Sequence, residues 1–410
     1  MTRVVVVGAG IVGIACALRL QKEGLDVTLV DREEPGSQCS FGNAGTLCGN
    51  AHFPSAAMLP KIPGMLLNPK EPLSIIWRDF PALLPWFWRY FSYSRPDKTA
   101  QIAAAAAELN ARVYPETLDM LTSAGLSAHL RWTGRLFAYR SEQALASEAS
   151  LMRLKFQAGI EMNRLSRSQA LDMEPCLGPK VACAVYTPDA GHVVNPLRLS
   201  QELVAHFVSQ GGSVVRDAIE SMGLQDGKLT GVQGTRGAIP ADHVVIAAGA
   251  WSGRLAKLLG TPVPLVAERG YHAMLDQPGM ALSVPTMWVD RKIAITQMEH
   301  GIRVAGITEF GMPGSPADYS KIDLMLDAAQ EIMPGINVDS YTPWQGNRPA
   351  TPDYLPILGP TAKVPNAHFA FGHGHSGLMF AAITARIIAD GIAKRASGLD
   401  ITPYRPERFS

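Results

Sequence analysis

The feature that most constrains the fold is a run of four valines followed at once by a glycine-rich turn. Residues 4–7 have the β-branched composition of a strand that is buried on both faces. The next six residues, 8–13, match the pattern GxGxxG. A helix over 11–23 and a second strand over 27–30 are predicted to follow, with Asp31 after that strand. This order of elements predicts a dinucleotide-binding βαβ unit, and an ordinary glycine turn is the alternative.

Each part of such a unit has a physical task. The first glycine permits the tight turn, the second lets backbone approach a pyrophosphate, and the third lets helix and strand pack closely. Amide groups at the helix N-terminus favour phosphate. Asp31 lies where a carboxylate can bond ribose hydroxyls, and it favours an unphosphorylated ribose although Arg32 would suit a 2′-phosphate. The predicted cofactor contacts here are Gly8, Gly10, Ile11, Val12, Gly13, Asp31 and Arg32.

The composition argues against several classes of protein. The 410 residues carry 37 Lys and Arg against 36 Asp and Glu, so a nucleic-acid-binding surface is not expected. The five cysteines are scattered without a CxxC motif, which disfavours a zinc site or disulfide scaffold and favours a reducing, cytoplasmic location. The apolar run 4–18 is shorter than the about 20 residues of a membrane-spanning helix. A signal peptide is the alternative for this run, but a strand, turn and helix explain more of its residues.

Three further segments place small residues beside predicted strand ends. The loop 38–45 follows the second strand and suits the approach of backbone to a flat ring. Residues 243–252 are predicted to form a buried strand that turns into a helix. Near the C-terminus, Gly-Asn-Arg-Pro at 346–349 precedes a strand over 368–371, and the glycine- and histidine-rich loop 372–377 then leads into a helix over 378–393.

These motifs, in this order and spacing, resemble the D-amino-acid oxidase and glycine oxidase superfamily of flavoproteins, and most of all its bacterial FAD-dependent D-amino-acid dehydrogenases. The likeness extends from the first strand to the segment 403–409. It implies FAD as the cofactor and an α/β fold, α+β overall, with a discontinuous Rossmann-like FAD-binding domain and a substrate domain built on an antiparallel sheet. The implied ranges are 1–50, 191–262 and 345–410 for the FAD-binding domain, and 51–190 and 263–344 for the substrate domain.

Local patterns in the residues fit this organisation independently. Asn195 and Pro196 are typical of the N-cap and first position of a helix. Asp-Gly at 226–227 predicts a turn within a small meander over 219–239, and alternation on both sides of 299–301 predicts a hairpin. Residues 319–333 are predicted to form an amphipathic helix that ends at Pro334.

The resemblance also implies three catalytic residues, Arg348, His375 and Tyr271. Arg348 is expected to bind the substrate carboxylate with its planar guanidinium, and an ion pair with Asp353 is the structural alternative. His375 departs from the relatives, which carry Arg or Thr near this place. It is expected either to face the substrate and bind a carboxylate or hydroxyl, or to cap the helix or bond its own loop. Tyr271 is expected either to contact the substrate or to pack.

No dedicated general base is visible in the sequence, and a substrate that binds with a neutral amine needs none. The resemblance implies that the N-terminus of the helix after 372–377 points at the flavin, where the positive end of the helix dipole would stabilise the anionic reduced ring. The other expected FAD contacts are Ser40, Asn43, Ala44, Gly45, Val215, Ala248, Gly249, Trp251, Gly372, His373, Gly374, Gly377 and Leu378.

An aromatic stretch at 75–93 has two interpretations. Three of the seven tryptophans lie here, with Arg78, Arg89 and Arg95 interleaved or adjacent. Aromatic and basic residues are what interfacial membrane segments use, and a dehydrogenase that reduces membrane quinone would need such a surface. The protein would then be peripheral at the inner face of the cell membrane. The alternative is a helix pair, broken at Pro81 and Pro85, that packs over the substrate site.

The predicted activity is oxidation of a D-amino acid, for example D-proline or hydroxy-D-proline, to an imino acid by hydride transfer from the α-carbon to N5 of FAD. Electrons would pass to a quinone or another acceptor. One alternative is a glycine- or sarcosine-type oxidase that uses O₂, and another is a non-catalytic FAD-binding subunit of a larger complex. The expected partners are a small amino acid and an electron acceptor, without a metal ion, and the sequence does not predict the oligomeric state.

Overall fold

A mostly parallel sheet organises the N- and C-terminal parts of the chain. The computed structural model describes residues 1–48, 52–54, 64, 73–157 and 159–410, and the strands of this described part form four sheets. The six-stranded parallel sheet has five parallel strands and one antiparallel edge strand. Its spatial order is Ser213–Arg216, Asp26–Asp31, Arg3–Val7, His243–Ile246, Ala367–Phe371 and Ile357–Pro360.

The predicted βαβ unit is confirmed at the centre of this parallel sheet. Strand Arg3–Val7 leads through the glycine turn into helix Ile11–Lys22. Gly8 has φ +111°, and a Cβ there would lie 2.4 Å from the carbonyl oxygen of Ala247. A Cβ on Gly13 would lie 1.8 Å from the carbonyl oxygen of Gly8. Both glycines are therefore required by the close approach of turn, helix and neighbouring strand.

A second, largely antiparallel sheet forms the other half of the described structure. The strands of this nine-stranded large sheet are joined by antiparallel pairings except at two places, where strand Thr286–Trp288 and strand Leu73–Ile75 each pair in parallel with a neighbour. Its main path runs Tyr341–Ala350, Val266–Leu275, Gly301–Gly311, Ile293–Met298, Thr286–Trp288, Arg135–Tyr139, Cys183–Thr187 and Asn163–Ser166. The expected Rossmann-like unit combined with an antiparallel sheet is thus confirmed.

Two small sheets complete the described strands. The predicted meander is confirmed as Ile219–Gln225, Lys228–Gly234 and Gly237–Pro240. A second three-stranded sheet joins Thr46–Leu47, Gly191–Val193 and Leu130–Arg131. The predicted hairpin is confirmed by the antiparallel pairing of the strands that flank residues 299 and 300.

Helices pack on both sheets and supply part of the core. The helix capped by Asn195 and the amphipathic helix before Pro334 are confirmed, because they span Pro196–Ser209 and Ile322–Ile332. Helix Gly377–Ile392 is buried on nearly every side and packs against the first helix, so it anchors the C-terminus to the parallel sheet. The other α-helices that the structure describes from end to end are Cys39–Gly42, Phe80–Tyr93, Pro96–Ser123, Glu142–Ser147, Ala149–Gln157, Arg167–Met173 and Ser252–Leu258.

The aromatic stretch forms one continuous helix after a short 3-10 turn, so the predicted break at Pro81 and Pro85 is wrong. Pro81 lies in the first turn of helix Phe80–Tyr93, where its missing N–H would have no helical partner. Pro85 forgoes one backbone bond, but the buried Leu83 and Trp86 hold that part of the helix against the large sheet. Among the described residues, no helix has the length and apolar character to cross a membrane.

The strands of the parallel sheet all come from the three ranges expected for the FAD-binding domain. Strand Tyr341–Ala350 differs, because it crosses the expected boundary at 345 and pairs in the large sheet with Val266–Leu275. The domain division itself stays a prediction. What the pairing establishes is that the Gly-Asn-Arg-Pro segment at 346–349 is an edge strand of the large sheet.

Candidate active site

A cavity of about 370 Å³ lies along the carboxyl ends of the parallel strands. This is the edge at which open α/β sheets bind their ligands. The glycine turn lines its middle, Arg32 and Trp251 line one part, and Arg348 and His375 line another. We call the part beside Arg348 and His375 the catalytic end.

The glycine turn forms a cradle for an anion. Helix Ile11–Lys22 has Gly10 at its N-cap, so no side chain caps it there, and its first turn holds no acidic residue. The amide of Ile11 donates to the Ser40 hydroxyl at 2.8 Å, and the amide of Ala9 donates to Asp31 Oδ2 at 2.6 Å. Because both side chains also line the cavity, the turn is held rigidly with further amide groups available to phosphate.

Arg32 contacts an aromatic ring at the other part of the cavity. Its guanidinium carbon lies 4.4 Å from the centre of the Trp251 ring, within cation–π range. Asp31 Oδ1 also accepts from the amide of Glu33 at 3.0 Å. Asp31 is therefore fixed by two backbone donors and retains lone pairs for ribose hydroxyls.

The cavity lining includes most of the residues expected to bind the cofactor. Fifteen of them line it: Gly8, Gly10, Ile11, Val12, Asp31, Arg32, Ser40, Asn43, Ala248, Gly249, Trp251, His373, Gly374, Gly377 and Leu378. The other five expected residues are not among the described residues that line the cavity: Gly13, Ala44, Gly45, Val215 and Gly372. Gly13 acts through helix packing, and Val215 packs against buried residues of the parallel sheet such as Val30 and Val244. These assignments stay predictions until a ligand is observed.

Arg348 presents a guanidinium with one buried nitrogen to the catalytic end. Its Nη1 is buried, and in the described part of the chain it has no hydrogen-bond partner. The structural alternative, a pair with Asp353, does not occur: Asp353 is instead paired with Arg408, whose Nε lies 2.7 Å from Oδ2. A buried guanidinium nitrogen without a partner costs free energy unless a ligand supplies one.

The neighbouring strand leaves space for this guanidinium. A Cβ on Gly270 would lie 1.9 Å from Arg348 Nη2. Gly270 pairs with Gly346 in strand register, and Glu268 pairs with Arg348 itself. The absence of a side chain at 270 therefore lets the Arg348 side chain extend across strand Val266–Leu275.

His375 is held by a buried carboxylate. Its Nε2 lies 2.5 Å from Glu268 Oε1, and Thr308 Oγ1 donates to the same oxygen at 3.3 Å. Glu268 is only 2% exposed, and its second oxygen, Oε2, is buried without a hydrogen-bond partner among the described residues. The ring of His52 stacks on His375, with 4.1 Å between centroids. His375 thus bonds a carboxylate from another strand, which neither sequence-based interpretation anticipated.

Charge keeps Glu268 ionised despite its burial. Burial alone would raise the pKa of this carboxyl group, but the charge and hydrogen bond of His375, together with Arg348 and His52, outweigh it and lower the pKa to about 2. Burial and the Glu268 carboxylate in turn raise the pKa of the Tyr354 hydroxyl well above its usual value. The catalytic end therefore holds one fixed negative charge beside a fixed guanidinium.

Tyr271 lies away from this end. Its hydroxyl donates to Glu309 Oε2 at 2.7 Å and accepts from the amide of Asp318 at 3.2 Å. Glu309 also pairs with Arg269 at 3.2 Å, and all of these groups except Asp318 are buried. Since Tyr271 is absent from the described lining of the cavity, its placement favours the packing interpretation.

An aromatic wall lies behind the catalytic end. Trp86 Nε1 donates to the carbonyl of Ala350 at 3.0 Å, which ties helix Phe80–Tyr93 to the strand that carries Arg348. The Tyr354 ring lies 6.2 Å from the ring of His52 and 6.5 Å from that of Trp86. The expected packing of this helix near the substrate region therefore has direct contacts to support it.

Comparison with known proteins agrees with this arrangement. The family model described as "FAD dependent oxidoreductase", DAO, matches residues 3–391. A D-amino-acid oxidase of Bradyrhizobium diazoefficiens is 31% identical, over 99% of this chain and 98% of its own length. The D-amino acid dehydrogenase 2 of Ralstonia nicotianae is also 31% identical, over 98% and 99%. The chain belongs to the DAO family.

A solved DAO-like structure shows the same fold. The glycine oxidase of Geobacillus kaustophilus aligns with a TM-score of 0.74 at 21% identity, covering 99% of this chain and 98% of that one. DAO-family proteins are FAD-dependent oxidoreductases, so this chain is an enzyme with FAD as its cofactor. Its cavity fits that group, because the uncapped helix and side-chain-free turn suit a pyrophosphate and Asp31 suits a ribose.

Sequence reasoning missed several residues of the site. Glu268 was overlooked in favour of Tyr271, although successive residues of a strand face opposite sides and the guanidinium lies over Gly270. That alternation is the signal that would have selected 268 and 270 together. The cavity lining also includes residues that were not predicted as contacts. Gln38, Cys39 and Asn347 lie within the segments 38–45 and 346–349, whereas Glu33, Asp217, Arg254 and Trp344 lie in no local motif.

Proposed function

We propose that this DAO-family enzyme oxidises an α-amino acid of D configuration to the corresponding imino acid. The observation that carries the proposal is the buried, unpartnered Nη1 of Arg348 on the wall of the cavity. A guanidinium in this position calls for a planar anion, and a carboxylate is the anion that it binds with two parallel hydrogen bonds. The names of the two curated relatives support the D configuration.

The chain's own residues would bind and orient the substrate. FAD, when bound, supplies the two-electron acceptor for the oxidation. Arg348 would hold the carboxylate, and this fixes where the α-carbon and its hydrogen lie within the catalytic end. The aromatic wall of Trp86 and Tyr354 would limit access of water to this region. Hydrolysis of an acyclic imino acid to a 2-oxo acid and ammonia can then follow in water.

The N-terminus of helix Gly377–Ile392 would support the reduced cofactor. His373, Gly374, Gly377 and Leu378 line the cavity at the start of this helix. The positive end of its dipole favours negative charge nearby, and the helix is long enough for this effect. We assign these residues to the flavin end of FAD for that reason.

The narrower substrate that we propose is D-proline or a hydroxylated D-proline, because the polar His375 lies with Arg348 on the cavity wall. The test is anaerobic mixing of the holoenzyme with D-proline, 4-hydroxy-D-proline, simple D- and L-amino acids, glycine and sarcosine, while the flavin absorbance is recorded. Bleaching by a D-proline confirms the narrow proposal, and bleaching only by other D-amino acids confirms the broad one. Bleaching by glycine or sarcosine alone contradicts both.

We further propose that the electrons pass to a quinone at a membrane surface, with O₂ as the alternative acceptor. One helix supplies the observation: its inner face carries Trp86, whereas Trp88 is 79% exposed and Trp77, just before the helix, is 59% exposed. Leu84 and Phe91 share that exposed side. Exposed aromatic residues with arginines nearby suit an interfacial contact.

Liposome flotation tests this surface. The holoenzyme should float with anionic vesicles, and Trp88→Ser should reduce the floating fraction. Trp132→Ser is the matched control, because Trp132 is 47% exposed on another element and packs on Tyr114. An enzyme that stays in the soluble fraction contradicts the membrane proposal, and rapid oxygen uptake without an added acceptor favours O₂.

A further inference from the structure

We propose that His375, held in place by Glu268, accepts the proton that the substrate's ammonium group loses when the amine is oxidised. In this assignment His375 is a catalytic residue and Glu268 is its positioning residue. The inference rests on the proposed amino-acid oxidation and departs from the expectation that the site needs no base. It names a role for a bond between two chain segments that are 107 residues apart.

The orientation of the imidazole is fixed from two directions. Nε2 is bonded to Glu268 Oε1 at 2.5 Å, and His52 covers one face of the ring. In the described part of the structure, Nδ1 has no hydrogen bond. Because His375 lines the cavity beside Arg348, Nδ1 is the ring nitrogen that remains for a ligand. A carboxylate on one nitrogen and a reacting proton on the other is how an oriented histidine base operates.

The burial and the hydrogen bonds of Glu268 suit the role of positioning His375. Glu268 is almost fully buried, lies on strand Val266–Leu275 next to the edge strand, and pairs in register with Arg348. Its carboxylate accepts from Thr308 as well as from His375. Such a buried negative charge stabilises the imidazolium that forms when His375 takes a proton.

Among the described residues, the charged and titratable groups around His375 include Glu268, Arg348, His52 and Tyr354. Glu268 favours the protonated imidazole, whereas the guanidinium of Arg348 opposes it until a substrate carboxylate neutralises that charge. Substrate binding would therefore make His375 a better proton acceptor. The ring of His52 stacks on one face of the His375 ring, and Tyr354 lies near the Glu268 carboxylate.

A bound ammonium group loses one N–H proton to Nδ1 of His375, and the nitrogen lone pair becomes available. The Cα–H bond then breaks, its hydrogen and electron pair leave as hydride to the oxidised flavin, and the lone pair forms the C=N bond. The amine is oxidised, the flavin is reduced, and the proton on His375 is released to solvent after product leaves.

The pH dependence of the reductive half-reaction tests the assignment. We would measure the limiting rate of flavin bleaching by D-proline, divided by Kd, from about pH 6 to about pH 10 in the holoenzyme. The wild type should show an acidic limb that reports deprotonation of His375. His375→Asn should move this limb to higher pH, since the amine must then lose its proton to water, and should lower the value at neutral pH by about a hundredfold.

Glu268→Gln should move the same limb in the opposite direction. Loss of the carboxylate destabilises the imidazolium, so His375 deprotonates at lower pH and becomes a weaker base. The matched control is Glu174→Gln, which makes the same change in a fully buried carboxylate that accepts from the amides of Ser283 and Val284 away from the cavity. This control should leave the limb where it is in the wild type.

A binding measurement supplies a readout without turnover. The oxygen analogue (R)-tetrahydrofuran-2-carboxylate has no N–H proton, and its Kd can be followed through the flavin spectrum. Its binding should weaken as His375 loses its proton in the wild type, and this pH dependence should disappear in His375→Asn. If Glu268→Gln does not fold, Thr308→Val replaces it. Removal of that donor makes the carboxylate more basic, so the limb should move to higher pH.

Limbs that coincide in the wild type, His375→Asn and the Glu268 or Thr308 variant would overturn the inference while leaving the proposed oxidation intact. Failure of every amino acid to bleach the wild-type flavin is a different result. It would overturn the proposed function, and the role of His375 would fall with it.

Discussion

At the scale of single residues, Arg348 gives the sharpest prediction. Arg348→Lys should raise the Kd for the amino acid by tenfold to a few hundredfold, because hydrogen bonds to charged groups contribute about 1.5–3 kcal/mol each and lysine cannot form the two-pronged contact. Flavin content should not change. The measurement is the substrate dependence of anaerobic flavin bleaching.

The control for this variant is Arg408→Lys. Arg408 pairs with Asp353 at 2.7 Å, so its replacement should lower the melting temperature without changing substrate Kd. Equal Kd values in Arg348→Lys and the wild type would show that the guanidinium does not bind the carboxylate.

Gly270 provides a second test through the space that it leaves. A Cβ at 270 would lie 1.9 Å from Arg348 Nη2, and nothing in the backbone of Gly270 forbids alanine, because its φ is not positive. Gly270→Ala should therefore displace the guanidinium and raise substrate Kd at least about tenfold while FAD stays bound. Gly391→Ala is the matched control, since a Cβ there meets no neighbour within 4 Å. Similar Kd values in both variants would contradict this account.

The same strand shows what could and could not be predicted residue by residue. The sequence led to Arg348 and His375, and both line one end of the cavity. It did not lead to Glu268, because the choice between neighbouring residues depends on which face of a strand meets the cavity. That face is set by pairing with Tyr341–Ala350, in which the partner of Glu268, Arg348, lies 80 residues further along the chain (348 − 268).

At the scale of elements, the first βα turn carries the cofactor prediction. Asp31 accepts from the amides of Ala9 and Glu33, so it both shapes the turn and offers lone pairs to a ribose. Asp31→Ala should raise the Kd for FAD at least about tenfold, because it leaves a turn amide unpaired and removes the ribose contact. The measurement is fluorescence titration of apoprotein with FAD. Asp26→Ala, at the exposed other end of the same strand, should leave FAD affinity unchanged.

Elements with strong local patterns were predicted with little error. The glycine turn, the Asn195 cap and the meander each depend on residues close together in sequence. The continuous helix in the aromatic stretch was not predicted, because two prolines suggested a break. Its continuity depends on Leu83 and Trp86 packing against Phe310 and Val266, contacts that a local pattern does not contain. Tertiary packing here outweighed the cost of an internal proline.

At the scale of the whole molecule, the site depends on where the two large sheets meet. Arg348 and Glu268 belong to the large sheet, whereas the glycine turn and the loop before Gly377–Ile392 belong to the parallel sheet. Family resemblance gave both sheets and the cofactor. It did not give the bond between His375 and Glu268, because that bond joins a loop of one sheet to a strand of the other.

Four buried histidines lead us to predict that acid lowers the free energy of unfolding of the whole molecule. Burial lowers the pKa of His272, His368 and His373 to about 3 and that of His192 to about 4. Arg303 adds to the effect at His272, His243 adds to it at His368, and Arg131 adds to it at His192. Each group is neutral when folded and takes up a proton on unfolding once the pH falls below the ordinary histidine pKa of about 6.5.

Their contribution to stability is therefore fully present above about pH 6.5 and is lost as the pH falls toward the folded-state values. With up to four protons taken up, the free energy of unfolding should fall by at most about 5 kcal/mol per pH unit between pH 6 and pH 4. Denaturant titration of the holoenzyme with excess FAD measures this slope. His368→Gln should reduce it by about one quarter, whereas His300→Gln, at a side chain that is 76% exposed, should not change it. A free energy of unfolding that stays constant from pH 7 to pH 5 would mean that these histidines are protonated in the folded protein.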